Sequence, residues 1–273
     1  VTVQGKYGDA FVEPANLNKN IQNYLFKWWS TTAPSSSNSQ WVINNYNYER
    51  TDAEITNSLE SYSVMTENKT FYAVWYNMLW YRPDDGTLPM YSSDLYHNFI
   101  QCPEDLIHLT SSFSGYSNFV IVNNLNMPEN LSRTYYTYTL STTADSSTFA
   151  SSESTETYAP IDYMSETAIY GGSITFSDAW TISSGTEATK ESAPTITFNN
   201  SFSDIPFVKQ AHSNAQIKFL KFDFNKPFTL TTNLTDLALI GEASYTSVVE
   251  GFTVEKFSVE ATTFAPQYLG AIV

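Results

Sequence analysis

The three histidines, His97, His108 and His212, are the first candidates for chemistry, because histidine is a frequent general base and metal ligand. None of them lies in the His-Glu-x-x-His spacing of a zinc site, and the chain has no Gly-x-Ser-x-Gly motif or glycine-rich phosphate loop. The single cysteine, Cys102, excludes an intrachain disulfide and a zinc site built from cysteines. We therefore expect no enzymatic activity, no metal and no cofactor.

Carboxylates are the second source of chemistry, since a pair of them can hydrolyse a glycosidic bond. Such a pair leaves no local pattern in a sequence, so Glu104, Glu153 and Glu166 stay open as candidates. The run Asp84-Asp85-Gly86 follows a proline and is typical of a turn. The sequence therefore singles out no carboxylate pair.

Aromatic side chains offer a third chemistry, which is the stacking of sugar rings or contact with lipid headgroups. They make up 16% of the chain, and residues 71–81 are apolar on both faces of a strand. An exposed Tyr/Trp face would form a recognition surface, whereas burial of both faces would make an ordinary core strand. We predict receptor binding by five aromatic residues of this strand and a neighbouring one: Tyr46, Tyr48, Tyr72, Tyr76 and Trp80.

Composition excludes several functional classes. The net charge is −15 and no basic patch is visible, so nucleic acid is not an expected partner. Only 15% of residues are charged and many are Tyr or Phe, which argues against intrinsic disorder. No run of about 18 apolar residues exists, which excludes a membrane-spanning helix but not a barrel of alternating strands.

The elements that carry these residues are mainly β. Residues 17–28 are the one stretch with helical spacing of apolar residues, with Asn16 as its cap. Short strands follow to about residue 122, after which the chain becomes rich in Ser and Thr. We predict an N-terminal head at 1–122 and an elongated β body at 123–273. No repeat of fixed period is visible.

Two long polar strands are predicted in the body, the first from Tyr136 and the second over residues 186–198. Between them, Gly171-Gly172 is a two-residue turn signal that pairs residues 161–170 with 173–182. Both arms then agree on one apolar face: Ile161, Tyr163, Ile169, Ile174, Phe176, Trp180 and Ile182. The opposite face carries polar residues that include Asp162, Glu166, Thr175 and Ser177.

Such a hairpin has a length that fits the hydrocarbon layer, which a tilted strand of about ten residues can cross. Hairpins from several subunits could close into a barrel, with the apolar face toward lipid and Asp162 and Glu166 favouring cations in the lumen. Asp178 interrupts the apolar face. The alternative is an ordinary amphipathic hairpin folded onto a sheet.

Four further segments of the body follow one another in a recognisable order. They are the corner Ile205-Pro206-Phe207-Val208-Lys209, the alternating strand 215–222, the segment Asn225-Lys226-Pro227-Phe228-Thr229 and the strand 234–241. On these segments the body resembles that of the aerolysin-like pore-forming toxins, and more narrowly the epsilon-toxin and mosquitocidal-toxin branch, over about residues 119–245. The order of elements is also similar to that of the family: a polar arm, the hairpin 158–182, a second polar arm, the corner and the Pro-Phe-Thr strand. Phe207 departs from the double proline that is common at the corner.

The resemblance implies an elongated protein of long twisted antiparallel strands that is secreted or stored in a bacterial inclusion. It also implies binding to a target-cell membrane through an unknown glycan, lipid or protein receptor. Ring oligomerisation and insertion of a β-barrel would follow, after proteolytic trimming at a terminus. The competing hypotheses are a carbohydrate-binding, lectin-like module without pore activity and a structural coat or surface-layer subunit.

Overall fold

A computed structural model of the protein describes residues 4–13, 19–33, 42–78, 80–83, 88, 96–113, 118–142, 147–229, 236–244, 246–260, 268–270 and 272. The predicted mainly β class is confirmed, since strands make up 47% and helices 8% of the structure.

The described residues form 24 strands, two α-helices and a short 3-10 helix. The first twelve strands are β1 Asn20–Ile21, β2 Tyr24–Ser30, β3 Val42–Ile43, β4 Tyr72–Asn77, β5 Trp80–Pro83, β6 Tyr96–Ile100, β7 Asn118–Ile121, β8 Leu125–Met127, β9 Ser132–Thr142, β10 Ser147–Thr157, β11 Met164–Ser165 and β12 Ala168–Phe176. The remaining strands are β13 Ile182–Glu187, β14 Thr195–Phe198, β15 Val208–His212, β16 Gln216–Lys218, β17 Lys221–Phe224, β18 Phe228–Thr229, β19 Asp236–Leu237, β20 Ile240–Ala243, β21 Val248–Glu250, β22 Thr253–Glu255, β23 Val259–Glu260 and β24 Tyr268–Leu269. The helices are α1 Asp52–Thr56, the 3-10 helix Leu59–Ser61 and α2 Pro103–Ser111.

The chain divides into two compact units. Unit 1 comprises Val1–Met78, Thr134–Thr155 and Phe176–Thr181, and unit 2 comprises Leu79–Arg133, Glu156–Thr175 and Ile182–Val273. These units do not follow a boundary at residue 122, because each draws on segments from both sides of it. The functional roles assigned to a head and a body stay predictions.

Unit 1 contains a six-stranded sheet with the strand order β10-β9-β1-β2-β4-β3. Its adjacent strands β2 and β4 are antiparallel and rich in aromatic residues, which favour the pleated surface of a sheet. Leu25, Trp28, Val74 and Tyr76 on this pair are buried and form a core. Aromatic residues at alternate positions leave a second face only half-buried.

The predicted helix over residues 17–28 is wrong where the structure describes it. Asn23 has a φ of 65°, a left-handed conformation that turns the chain between β1 and β2. A bulge between Phe26 and Trp28 adds a residue to β2, so that Leu25 and Trp28 are both buried although they are three residues apart. The bulge thus reproduces a helical spacing within a strand.

Unit 2 is built mainly from parallel strands that lie above one another in successive turns of the chain. In its last two turns, strands β15 to β19 pair in order with β20 to β24, all in parallel. Val208 lies beside Ile240, and Ile217 lies beside Val249. Each partner follows 31 or 32 residues later along the chain, which is the arrangement of a parallel β-helix.

The core of unit 2 includes a ladder of phenylalanine rings, because parallel pairing places equivalent residues of successive turns side by side. Phe198 pairs with Phe224, and their rings stack with centroids 5.5 Å apart and an interplanar angle of 12°. Phe228 and Phe257 extend this ladder, with centroids 4.9 Å apart. Helix α2 connects the parallel strands β6 and β7 and adds Leu106, Ile107 and Leu109 to the same core.

Two predictions for the body are corrected by this arrangement. The elongated set of long antiparallel strands is wrong for unit 2, where the described strands that follow β13 pair in parallel. Alternation of polar and apolar residues has the same period in both kinds of sheet, so it does not reveal strand direction. The polar arm 186–198 is also interrupted, since β13 ends at Glu187 and β14 begins at Thr195.

The predicted turn at Gly171-Gly172 is wrong as well, because both glycines lie inside β12. This strand pairs in parallel with β7 and with β16, and Gly171 lies beside Ile121. The glycines serve close packing: a Cβ atom at residue 171 would collide with the Phe219 carbonyl and the Pro194 ring. At residue 172 it would lie 2.5 Å from Val120 Cγ1 and 2.8 Å from the Thr186 carbonyl oxygen.

Candidate ligand-binding site

Three aromatic rings of unit 1 follow one another in what we call the aromatic row: Trp28, Tyr48 and Trp180. The Trp28 and Tyr48 rings stack with centroids 6.3 Å apart at an interplanar angle of 23°. The Tyr48 and Trp180 rings have the same separation and a tilt of 41°. Trp28 is buried, whereas Tyr48 and Trp180 are half-buried and keep part of their surface accessible.

Tyr48 is positioned by the start of helix α1. The Thr51 side chain accepts a hydrogen bond from the Glu54 backbone N–H, and Glu54 accepts one from the Thr51 N–H, which is a capping box. Glu54 Oε2 also accepts a hydrogen bond of 2.9 Å from the Tyr48 hydroxyl. One carboxylate therefore caps the helix and orients the central ring of the row.

Trp180 is positioned by the turn between β12 and β13. Asp178 Oδ1 accepts hydrogen bonds of 2.8 Å from the backbone N–H groups of Trp180 and Thr181, which fixes the turn. The Asn44 side-chain amide donates to the Trp180 carbonyl at 2.7 Å, and the Asn44 backbone N–H donates to the Ala179 carbonyl at 2.9 Å. These hydrogen bonds fix the backbone at Trp180, and the backbone in turn positions the indole ring.

Two N–H groups at the aromatic row have no hydrogen-bond partner among the described residues. The Arg50 Cζ atom lies 5.5 Å from the Trp28 ring centroid, and Arg50 NH2 forms a 2.8 Å ion pair with Glu60. Arg50 NH1 and Trp180 Nε1 are both buried without such a partner. Buried donors are nearly always hydrogen-bonded in folded proteins, so these two groups call for an acceptor that the described residues do not supply.

The electrostatic environment of Tyr48 keeps its hydroxyl protonated. Desolvation, the hydrogen bond to Glu54 and the negative charges of Glu54 and Asp178 raise the pKa of Tyr48 to about 12. At neutral pH the row therefore combines aromatic faces, unpaired N–H donors and carboxylates. This set of groups can bind a polar, uncharged ligand that also has an apolar face.

The predicted receptor-binding residues are only partly brought together. Tyr48 belongs to the aromatic row, and Tyr46 and Tyr72 are half-buried in unit 1. Tyr76 is fully buried and contacts Tyr46 edge to face at 5.2 Å, so its predicted role in ligand contact is wrong. Trp80 begins β5 in unit 2, and its side chain lies outside the described residues.

The residues of the predicted insertion hairpin divide into three groups. Ile161, Ile169, Gly171, Gly172 and Ile182 are buried. Ile174, Phe176 and Trp180 are half-buried, and Tyr163 is exposed. The predicted pore-lining residues Asp162, Glu166, Thr175 and Ser177 are exposed, and Asp162 pairs with Lys209 at 2.7 Å. Residues 161–170 are therefore not one arm of a hairpin, since they lead into a central strand of unit 2.

A hairpin does follow those residues, with its tip at Ser177–Thr181. The Ser183 hydroxyl donates to the Thr175 carbonyl at 2.9 Å, and the Ala188 N–H donates to the Gly171 carbonyl at 2.9 Å. This turn lies further along the chain than the predicted one. Asp178, which interrupted the predicted apolar face, is here the residue that fixes the turn.

The histidines and carboxylates considered for catalysis are spread over several elements, and His108 and Glu104 share one of them, helix α2. His97 is buried in β6, His108 Nδ1 contacts Glu156 Oε1 at 2.7 Å, and His212 Nδ1 contacts the Ser244 hydroxyl at 2.6 Å. Glu104 lies on α2, Glu153 on β10 and Glu166 in the turn after β11. These positions give no support to a catalytic pair of carboxylates of the glycosidase type.

Sequence reasoning missed Trp28, Arg50 and Trp180 as members of one site. A usable signal was the pattern Thr51-x-x-Glu54, which marks a helix start and therefore a fixed point beside Tyr48. The approach of Trp180 to Tyr48 joins residues far apart in the chain and has no local signature.

A second aromatic surface lies on the half-buried face of β2 and β4. The Phe26 ring contacts those of Trp29 and Trp75, with centroids 5.1 Å and 5.9 Å apart. Trp29 Nε1 donates to Glu13 at 2.6 Å, and Glu13 pairs with Lys19 at 2.8 Å. Because its indole donor at Trp29 is already satisfied, this surface has less need of a ligand than the aromatic row.

Comparisons of the chain with protein-family models, curated proteins and solved structures found no match. In the part of the chain that the structure describes, no helix is long and apolar enough to cross a membrane.

Proposed function

We propose that the protein binds carbohydrate through the aromatic row of unit 1. The observation that carries the proposal is the pair of buried, unpartnered donors, Arg50 NH1 and Trp180 Nε1, in a site with two half-buried aromatic rings. A sugar ring has an apolar C–H face that stacks on aromatic rings and hydroxyl groups that accept from N–H donors. Its hydroxyls can also donate to the carboxylates of the site.

The experiment is a calorimetric titration of the full chain with neutral oligosaccharides preselected on a glycan array. Trp180→Ala removes a ring and a donor, and we expect at least about a tenfold loss of affinity, as for a central aromatic contact. Trp75→Ala is the matched control, because it removes an aromatic ring from the other surface of the same sheet. Failure of the wild-type protein to bind any glycan, or equal loss in both variants, would contradict the proposal.

Pore formation is the second candidate function, and one observation favours it. Strands β9 and β10 have 11 residues each and are rich in Ser and Thr. Tyr138 and Leu140 on β9 are 44% and 52% exposed although they are apolar. Strands of about 9–11 residues can cross a bilayer. We propose this pair of neighbouring strands, in place of residues 158–182, as the segment that would insert after a secreted protein has bound a receptor and formed a ring.

This candidate is tested by dye release from receptor-bearing cells after limited proteolysis. Leu140→Asp places a charge on the face that would meet lipid, and Thr139→Asp places the same charge on the opposite face. Both positions are exposed before insertion, so neither variant should unfold the protein. We expect Leu140→Asp alone to abolish release. The candidate fails if the wild-type protein releases no dye or if the two variants behave alike.

A further inference from the structure

We infer that the aromatic row selects neutral sugars over acidic ones. This inference rests on the proposed carbohydrate binding and concerns the charge of the ligand. Two features of the row favour a neutral ligand: the balance of charged groups around it and the ion pair that already engages Arg50.

Carboxylates outnumber cations among the charged groups that contact the aromatic row or its arginine. Glu54 accepts from the Tyr48 hydroxyl at 2.9 Å, and Asp178 fixes the turn that carries Trp180. Glu60 pairs with Arg50 at 2.8 Å, and its side chain is 61% exposed, so its charge also faces solvent at the site. Arg50 is the cation that lies over the Trp28 ring. One positive and three negative groups leave a negative potential there.

The pairing of Arg50 determines what the guanidinium can still bind. An acidic sugar is best held by two parallel N–H groups of an arginine, which form a fork for a carboxylate. Arg50 NH2 is already paired with Glu60, which leaves NH1 as the buried nitrogen without a partner, so the fork of both nitrogens is not free for a carboxylate. A donor nitrogen without its fork partner suits a hydroxyl or ring oxygen. Asp178 and Glu54 provide acceptors for sugar hydroxyls. Their negative charges would repel a carboxylate on the ligand.

The charge of the whole chain acts in the same direction. A net charge of −15 repels polyanionic glycans at long range and lowers their rate of association. Local and global charges therefore both favour a neutral ligand.

The test compares each neutral oligosaccharide of the array with the same compound after oxidation of its C6 hydroxymethyl groups to carboxylates. We expect the neutral form to bind at least about tenfold more tightly at low salt, a difference of about 1.4 kcal/mol. High salt should reduce this ratio, because it screens exposed charges such as Glu60. Glu60→Gln should also reduce it, since the change removes one carboxylate and frees Arg50 NH2 for the acidic ligand.

The outcomes separate the inference from the function on which it rests. Binding of neither form by the wild-type protein would overturn both. Binding of the oxidised form as tightly as the neutral one, or more tightly, would overturn the selection while leaving carbohydrate binding intact. An unchanged ratio in Glu60→Gln would show that the carboxylate assigned to the selection does not cause it.

Discussion

The two units use aromatic residues in opposite ways. In unit 2 the rings are mainly phenylalanine, and Phe198, Phe224 and Phe228 are at most 2% exposed. In unit 1 the aromatic row contains Trp and Tyr, and two of its rings remain half-buried. Phenylalanine has no polar atom to satisfy, so it can fill a closed core, whereas the N–H of Trp and the O–H of Tyr need a partner. On the proposed function, packing in the phenylalanine ladder and ligand contact in the aromatic row therefore use different ring types.

The largest expected effect is on the phenylalanine ladder. Phe224→Ala should destabilise the protein by about 3–5 kcal/mol, because it removes a ring that is packed on several sides. Phe26→Ala, at a half-buried ring of unit 1, should cost less than half as much. Urea unfolding followed by circular dichroism measures both variants. Equal losses would mean that the comparison between the units is wrong.

A second prediction concerns the glycines at the centre of unit 2. Gly171→Asn creates the Asn-Gly pair that a two-residue hairpin turn prefers, so a turn would tolerate the change. Within β12 the new side chain would collide with Phe219 and Pro194, and overpacking of this kind costs about 1–3 kcal/mol. Urea unfolding decides whether residue 171 lies in a turn or in a packed strand. Gly8→Asn is the control, because Gly8 lies at an open site with a φ of 86°. If Gly171→Asn left the stability unchanged, the turn predicted from the sequence would be favoured over the packed strand.

Acid should weaken unit 2 through a buried ion pair. Glu156 accepts from Arg133 at 3.2 Å and contacts His108 at 2.7 Å. Burial alone would raise the pKa of the Glu156 carboxyl, but the hydrogen bonds and charges of His108 and Arg133 hold it below its ordinary value of 4.5. A lowered folded-state pKa gives stability that is present above about pH 4.5 and lost as the pH falls below it.

The measurement for this pair is the urea midpoint as a function of pH. The wild-type midpoint should fall below pH 4.5, and Glu156→Gln should be less stable at neutral pH and lose less on acidification. Glu153→Gln on the same strand is the control, since Glu153 is exposed. Parallel acid profiles for the wild-type protein and Glu156→Gln would refute the assignment.

Alkali should act on unit 1 through Tyr48, with the smallest effect. Its folded-state pKa is raised from 10 to about 12, so its contribution is complete below pH 10 and is lost as the pH rises toward 12. Tyr48→Phe should remove one late-titrating tyrosine from the ultraviolet titration curve. Tyr7→Phe, at an 83% exposed residue, is the control and should leave that late component in place. The buried Tyr158, whose pKa is also raised, titrates late in both proteins, so a late component of undiminished amplitude in Tyr48→Phe would contradict the assignment.

The sequence predicts the class of the fold better than its topology. The mainly β class follows from alternating apolar residues, but Ile217 and Phe222 lie beside Val249 and Val254, so the 32-residue spacing is hidden by changes of residue type. Gly171-Gly172 is typical of a turn in the local sequence. Only the close packing against Phe219 shows why glycine is needed at residue 171. Of the candidate site, Tyr48 was predicted from the sequence. Trp180 joins the row through tertiary contacts that no local pattern encodes.

Trp180→Phe tests the central claim most directly, because it keeps an aromatic ring and removes the unpartnered Nε1–H donor. Its affinity for the best neutral oligosaccharide is measured by calorimetry, and its urea midpoint is measured beside it. We predict weaker binding by at least about fivefold, the loss of about one hydrogen bond, with an unchanged urea midpoint. Affinity equal to that of the wild-type protein would mean that the donor meets no ligand and that the aromatic row is not the binding site.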